Sequence, residues 1–272
     1  MNPKLFGINI KDTQPPTINS LYAYALGEDS HVNGSAERQR VRLIPLPDGS
    51  FKTEQINACG NIGFGISTVD KQDGAANNNG VYKIVSNLNG DTVYEIKMDR
   101  FSFDESRHLN QLIDYQYYIS NSSRITRLFM GRNNPLSIYN NVVNNGILNI
   151  QDELNYVYTI KVSDFEGNER LIRIPIQGKN IENPPAQKVL KTEYFVDANQ
   201  AFTVEENGID VYIPKNSLYE DTFLDIKFKG DTIYLHNDET PVHSNITLGF
   251  DVSKYRPEDL EKMFIARLGY RN

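Results

Sequence analysis

The sequence predicts an all-β chain of two tandem sandwich domains, and three observations indicate this fold class. Apolar runs are short, rich in Val, Ile, Tyr and Phe, and partly alternate with polar residues, as in half-buried strands. Asn, Gly, Asp and Pro cluster between these runs, which predicts turns and loops. The length of 272 residues favours two domains, each able to bury its own core.

Composition excludes several classes of protein. No apolar run approaches the roughly 18 residues of a membrane-spanning helix, and the start, MNPKLFGINI, lacks the pattern of a signal peptide. The net charge of −7 disfavours nucleic acid as a partner, because nucleic-acid-binding faces are basic. The single cysteine, Cys59, cannot form an internal disulfide or a multi-thiolate zinc site, and we expect it to be a small core residue.

The first strands follow a pair of prolines. Pro15 and Pro16 precede a predicted strand at 18–26, where a missing N–H donor is tolerated. Residues 30–40 are polar and predict a loop. A second strand is predicted at 41–46.

The stretch 64–100 organises this half of the chain. An alternating run, Ile62, Phe64 and Ile66, precedes a polar segment at 70–80 that has almost nothing apolar to bury. The β-rich runs 81–85 and 93–98 follow, separated by a turn rich in Asn, Gly and Asp. They predict a hairpin.

Four oxygen-bearing residues of the polar segment are candidate calcium ligands: Asp70, Asp73, Asn77 and Asn79. Their spacing does not match the D-x-[DN]-x-[DN]-G pattern, and no Glu occupies the closing position. An ordinary surface loop is the alternative.

The segment 101–149 predicts a helix-bearing insertion. Ser102 and Glu105 have capping-box spacing, and apolar residues then recur at helical spacing to about Tyr118. A strand is predicted at 125–130, a short extended piece at 135–139 and an Asn-rich loop at 140–149. Three tyrosines form a candidate sugar-binding platform, with core packing as the alternative: Tyr115, Tyr117 and Tyr118.

Two alternating strands at 156–162 and 171–176 flank a Gly-Asn turn, as in the last hairpin of an Ig-like sandwich. Pro175 predicts an edge position for the second of them. We therefore predict an Ig-like domain over 1–178 with the insertion at 101–149, and a Pro-containing linker at 179–188.

A second β-sandwich domain is predicted over 189–272. Strands are expected at 192–196, 202–204, 209–214, 222–228 and 246–252, followed by a helical turn at 257–260. A final strand is expected at 263–268. Because that strand would leave an unpaired edge, we expect strands beyond Asn272 or a second copy to complete this domain.

The order of several short motifs resembles a known arrangement. These are Asn2-Pro3-x-Leu5-Phe6-Gly7, Lys11-Asp12-Thr13-x-Pro15-Pro16-x-Ile18, Gly63-Phe64-Gly65-Ile66, Asp70-x-x-Asp73-Gly74, Asn79-Gly80-Val81-Tyr82 and Asp99-Arg100-Phe101-Ser102-Phe103-Asp104-Glu105. The series is similar to the region after the catalytic domain in large envelope proteins with a lysostaphin-like (LytM-type) zinc endopeptidase. The resemblance covers most of the chain.

The resemblance implies a non-catalytic accessory region of a bacterial peptidoglycan metallopeptidase, acting as a spacer or docking scaffold. It implies a location in the cell envelope, periplasmic or on the surface, with peptidoglycan or envelope proteins as partners. Zinc and the signal peptide would belong to parts of the parent protein outside this chain, and no cofactor is expected within it.

The histidines do not supply the zinc site of such an enzyme. That site needs a His-x-x-x-Asp pair and a His-x-His pair, whereas the residues four beyond the histidines are Ser35, Leu112, Thr240 and Thr247. No His-x-His occurs among the four: His31, His108, His236 and His243. The loop that holds His236, Asp238, Glu239 and His243 could imitate a metal cluster, although dispersed polar residues are the simpler interpretation.

The chain is therefore expected not to be an enzyme. The alternative function is a module that binds a glycan or a protein through the insertion at 101–149, since recognition commonly lies in loops carried by a rigid sandwich.

Overall fold

The structure is a computed structural model that describes residues 6–7, 10–184, 186 and 191–268. Strands hold 42% of the chain and helices 9%, which confirms the all-β prediction. The chain divides into two compact units, Met1–Leu190 with Asp238–Pro241 and Lys191–Asn237 with Val242–Asn272. Each unit has its own hydrophobic core. Asn2, Pro3, Leu5 and Pro185 of the predicted motifs and linker lie outside the described residues.

The strands of the first unit join into one hydrogen-bonded network of thirteen among the described residues. In chain order they are β1 (Thr17–Ala25), β2 (His31–Val32), β3 (Gln39–Val41), β4 (Ile44–Pro45), β5 (Phe51–Lys52), β6 (Ile56–Val69), β7 (Lys83–Leu88), β8 (Asp91–Lys97), β9 (Thr126–Arg127), β10 (Tyr139–Val142), β11 (Leu148–Ile150), β12 (Asn155–Ser163) and β13 (Glu169–Gly178). Helices α1 (Leu109–Leu112) and α2 (Tyr115–Asn121) lie between β8 and β9, and 3₁₀ turns occupy Ser106–His108 and Asn144–Gly146.

Strand β6 connects the two halves of this network, whose main path runs β10-β8-β7-β12-β13-β6-β1-β3. Its first residues, from Ile56, run parallel to β13, and its later part pairs antiparallel with β1. Between them, Gly60 adopts φ +79° and has Ser30 Oγ 2.5 Å from where a Cβ would stand. A side chain at Gly60 would therefore meet both backbone strain and a steric clash.

The hairpin of β7 and β8 confirms the sequence prediction. Its turn residues, Asn89 and Gly90, have φ of +52° and +99°. Positive φ at both central positions is the requirement of a type I′ turn, for which Asn-Gly is the favoured pair. The local sequence is therefore enough to set this connection.

The hairpin of β12 and β13 is also confirmed, but the edge position predicted for Pro175 is wrong. Strand β13 has β12 on one side and, on the other, β5 at Ile172 and β6 from Ile176. The Arg173 carbonyl accepts a hydrogen bond from the Thr53 N–H on that second side. In a strand, every second residue directs its peptide group to the same side. The Pro175 nitrogen therefore faces the same side as the Arg173 carbonyl, at the gap between β5 and β6, where the strand needs no N–H donor.

Several shorter predictions of the first unit are corrected. The strand predicted at 41–46 is split between β3 and β4, and the loop predicted at 30–40 contains β2, which pairs with β6. The loop predicted at 140–149 holds most of β10 and the start of β11, which pair with β8 and β6. These polar strands are held by backbone hydrogen bonds to neighbouring strands. Their side chains therefore lack the apolar alternation from which a strand is predicted.

Cys59 lies on β6 and is half-buried, so it is not the core residue that was predicted. Its neighbour Ala58 is the fully buried one. Successive side chains of a strand point to opposite faces, which explains the difference.

The second unit has smaller sheets. Its strands are β14 (Tyr194–Val196), β15 (Phe202–Glu206), β16 (Ile209–Ile213), β17 (Thr222–Leu224), β18 (Ile226–Lys229), β19 (Thr232–Leu235) and β20 (Thr247–Phe250), and its helix is α3 (Pro257–Leu260). Strands β15, β16 and β20 form one sheet, while β14 pairs with β17 and β18 pairs with β19. The core contains Val211 and Ile213 from β16 with Leu224 and Ile226 from the segment after it.

The strand predicted at 263–268 is wrong, so these residues form no unpaired strand edge. These residues form no strand, and the Phe264 and Ile265 side chains are 85% and 75% exposed. The helical turn predicted before them is confirmed by α3. No helix of the described part of the chain has the length and apolarity needed to cross a bilayer.

Candidate functional site

The insertion begins with the predicted capping box. The Ser102 N–H donates to Glu105 Oε2 at 2.7 Å, and the Glu105 N–H donates to Ser102 Oγ at 3.3 Å. The single helix predicted from here to Tyr118 is wrong. Ile113 is extended, with φ −100° and ψ 161°, and forms a β-bridge with Thr126 that separates α1 from α2.

Asp114 starts α2 and is the buried centre of a polar cluster. Its Oδ1 accepts the Tyr117 N–H at 3.0 Å, which caps the helix. Its Oδ2 accepts the Tyr24 hydroxyl at 2.9 Å and Arg38 Nη1 at 2.6 Å. One carboxylate thus joins the first turn of α2 to β1 and to the segment between β2 and β3.

Tyr117 completes this group, which we call the Asp114 cluster: Tyr22, Tyr24, Arg38, Asp114 and Tyr117. The Tyr117 and Tyr22 hydroxyls lie 3.2 Å apart, and the Arg38 guanidinium stands 4.6 Å from the centre of the Tyr117 ring. Burial, followed by the Asp114 charge, raises the pKa of Tyr24. The hydrogen bond with Tyr22 raises the pKa of Tyr117. Both phenols therefore stay neutral at neutral pH.

The three tyrosines predicted as a platform separate into two groups. Tyr117 belongs to the Asp114 cluster, whereas the Tyr115 and Tyr118 rings pack together with centroids 6.3 Å apart. Arg124, which is exposed, places its guanidinium 4.8 Å from the Tyr118 ring centre. Tyr115, Tyr118 and Arg124 form a half-exposed aromatic and cationic surface, which we call the α2 surface.

The candidate calcium ligands also separate. Asp73 accepts hydrogen bonds from the Thr13 N–H and hydroxyl and from the Gln14 amide, and the Thr13 N–H lowers its pKa. The Asn79 main chain pairs with the main chain of Asp70. Asn77 stays in the exposed loop. Asp70 and Asp73 therefore take part in separate sets of contacts.

Asp70 instead meets two acids from distant parts of the sequence. Carboxylate oxygens of Asp12, Asp70 and Asp164 all lie within 4.8 Å of one another, and all three residues are buried. We call this group the acidic cluster. Three carboxylates are a donor set that suits a hard cation such as calcium. The sequence does not identify Asp12 and Asp164 as partners of Asp70. Asp12 precedes β1 and Asp164 follows β12, so no short motif links them.

The histidines lie in unrelated surroundings. His31 is buried on β2, where its Nδ1 accepts the Gly34 N–H at 3.3 Å. His236 Nδ1 accepts the Asp225 N–H at 3.1 Å, and the His243 ring stacks on Tyr219 at 4.6 Å. Among the described residues, the group of metal-ligand side chains that comes together is the acidic cluster, which holds no histidine.

The second unit is the part of the chain that resembles a known family. Residues 193–272 match the Zu5-like domain. The matched Zu5-like region contains β14 to β20 and α3, and it begins after the main segment of the first unit, which ends at Leu190. Comparisons with curated proteins and with solved structures found no match.

Proposed function

We propose that this chain is a non-catalytic accessory region of a bacterial cell-envelope peptidoglycan metallopeptidase, acting as a spacer or docking scaffold. The ordered motifs from Asn2 to Glu105 support this proposal, because they resemble the region that follows a lysostaphin-like catalytic domain. The location would be the periplasm or the cell surface, and the partners would be peptidoglycan or envelope proteins.

The histidine pattern is the observation that carries the proposal. Neither His-x-x-x-Asp nor His-x-His occurs in the sequence, although both are needed for zinc in such peptidases. His236 and His243 are engaged by Asp225 and Tyr219 in arrangements that fit a structural role. The chain would therefore contribute binding or spacing, and a separate domain would contribute hydrolysis.

The open reading frame that encodes the chain tests the assignment to this class. A His-x-x-x-Asp and a His-x-His upstream of Asn2 are the expected result. A reading frame in which another enzyme class, or no enzyme, accompanies these residues would contradict the proposal.

A glycan- or protein-binding module is the second candidate, and the α2 surface favours it. Tyr115 and Tyr118 present rings beside the cation of Arg124, the combination that stacks against sugars and against polar partner surfaces. This surface lies in the insertion, as recognition elements on sandwich scaffolds commonly do.

Retention on immobilised envelope polysaccharide and on membrane extract tests this second candidate. Replacing both Tyr115 and Tyr118 by Ser should abolish retention on at least one of the two materials. Tyr212→Ser is the matched control, because Tyr212 is also exposed but lies on β16 of the second unit. Equal retention of the double variant and the control would exclude the α2 surface as the binding site.

A further inference from the structure

Three arginines alternate along β3 and its flanks, and we call them the arginine stripe: Arg38, Arg40 and Arg42. Every second side chain of a strand points to the same face. The contacts agree for the first two. Arg40 lies directly opposite Tyr22 of β1, and the Tyr22 hydroxyl is 3.2 Å from that of Tyr117. The Arg38 guanidinium stands 4.6 Å from the centre of the same Tyr117 ring.

The stripe is a positive surface on a chain of net charge −7. Arg38 pairs with Asp114 at 2.6 Å. Arg42 reaches Glu54 only at 4.0 Å, with the two side chains 81% and 75% exposed, a geometry that contributes little. Arg40 is exposed, and in the described part of the chain its guanidinium has no hydrogen bond or ion pair. The stripe therefore keeps positive charge that an outside group can compensate.

Strand β3 also ends the main path of the sheet. It pairs with β1 through residues 39–41, and no strand of the described residues pairs with its other edge. The backbone groups of such an edge can pair with another extended chain. Arginines on the edge repel the arginines of a second copy, whereas acidic side chains on an added strand would lie directly opposite them, about 5 Å away. The edge therefore favours a partner of opposite charge.

We propose that β3 accepts an extended acidic peptide of a partner protein as an added strand, whose carboxylates alternate along it and face the arginine stripe. Backbone pairing supplies part of the affinity, and the charge pairs select the partner. The site uses none of the residues of the α2 surface and does not depend on the proposed role in the envelope.

Titration of the full chain with acetyl-Thr-Glu-Val-Glu-Val-Glu-Thr-amide, followed by backbone-amide NMR, tests the proposal. We expect saturable shifts at Arg40 and Val41. The matched probe has Gln in place of each Glu. It should bind about tenfold more weakly, because it keeps the backbone and loses the three opposite-charge pairs.

Two N-methylated forms of the Glu peptide test the backbone pairing. One has N-methyl groups on its glutamates and the other on its valines. Alternate N–H groups of a strand point to opposite edges, so only one of the two sets can face β3. Methylation of that set should abolish the shifts, while the other form should bind like the parent peptide.

Two charge reversals locate the site. Arg40→Glu should weaken binding of the Glu peptide about tenfold, because it replaces an opposite-charge pair with a like-charge pair. Arg173→Glu is the matched control: it changes the net charge equally at another exposed arginine, on β13, and should leave binding unchanged. Both melting temperatures should stay within about 2 °C of the native value, because both sites are exposed.

Four results would overturn the proposal. The first is equal binding of the Glu and Gln peptides. The second is an equal effect of the two N-methylations, which would exclude strand pairing. The third is an equal effect of Arg40→Glu and Arg173→Glu, which would indicate general charge attraction. The fourth is saturable binding of inorganic tripolyphosphate at the same amides together with no binding of the Glu peptide, which would make the stripe a site for small anions.

Discussion

Arg38 Nη1 donates to Asp114 Oδ2 at 2.6 Å, across 76 residues of sequence. The same carboxylate oxygen accepts the Tyr24 hydroxyl, and the other oxygen caps α2. Asp114 is buried, so its charge depends on these three donors for compensation. The interaction holds the insertion against β1 and therefore sets where the tyrosines of α2 lie.

Asp114→Ala should destabilise the first unit by about 2–4 kcal/mol. The change removes a helix cap, worth about 1 kcal/mol, and leaves the Arg38 guanidinium and the Tyr24 hydroxyl without their acceptor, at about 1–3 kcal/mol. Urea denaturation followed by tyrosine fluorescence measures it. Asp104→Ala, an exposed change in the same insertion, is the control and should have almost no effect. Equal midpoints for the two variants would contradict the role given to Asp114.

Gly90→Ala should cost about 1–2 kcal/mol, because an L-residue at φ +99° is strained. Gly80→Ala is the control: Gly80 lacks a positive φ, and nothing lies within 4 Å of where its Cβ would stand. Thermal unfolding of the two variants compares them directly. A loss of stability at Gly80 as large as at Gly90 would mean that backbone strain is not the cause.

The Glu105 carboxyl should titrate at a pKa of about 2 instead of its ordinary 4.5, because it accepts the backbone N–H groups of Ser102 and Ser137. A carboxyl whose pKa is lower in the folded state contributes stability above its unfolded pKa. That contribution is lost as the pH falls from 4.5 towards 2. Carbon-detected NMR of the Glu105 carboxyl measures the midpoint.

The stability difference between the native chain and Glu105→Gln should be constant above pH 5 and shrink below it. Glu37→Gln is the control, since Glu37 is exposed. A Glu105 midpoint near 4.5, or a difference that does not depend on pH, would contradict the capping geometry.

Features set by neighbouring residues could be predicted from the sequence. The Asn89-Gly90 turn and the Ser102–Glu105 capping box each lie within four residues, so composition and spacing are sufficient to identify them. The two long hairpins have enough alternation to be recognised. The all-β class follows from the same signals.

Features set by distant contacts could not be predicted. Asp114 interrupts the helix because Tyr24 and Arg38, 90 and 76 residues away, meet it there. The acidic cluster forms because three separate loops meet, while Asp73 of the candidate calcium loop accepts a hydrogen bond from Thr13 instead. At 263–268, apolar residues suggested a strand, yet no neighbouring strand pairs with them among the described residues.

Incubation of the purified chain with peptidoglycan and zinc tests the central claim most directly. Mass spectrometry of the soluble fraction should detect no released peptides, because the histidines supply neither pair needed to hold a catalytic zinc. Sustained peptide release that disappears on replacing His236 or His243 by Ala would contradict the account and make the chain itself a peptidase.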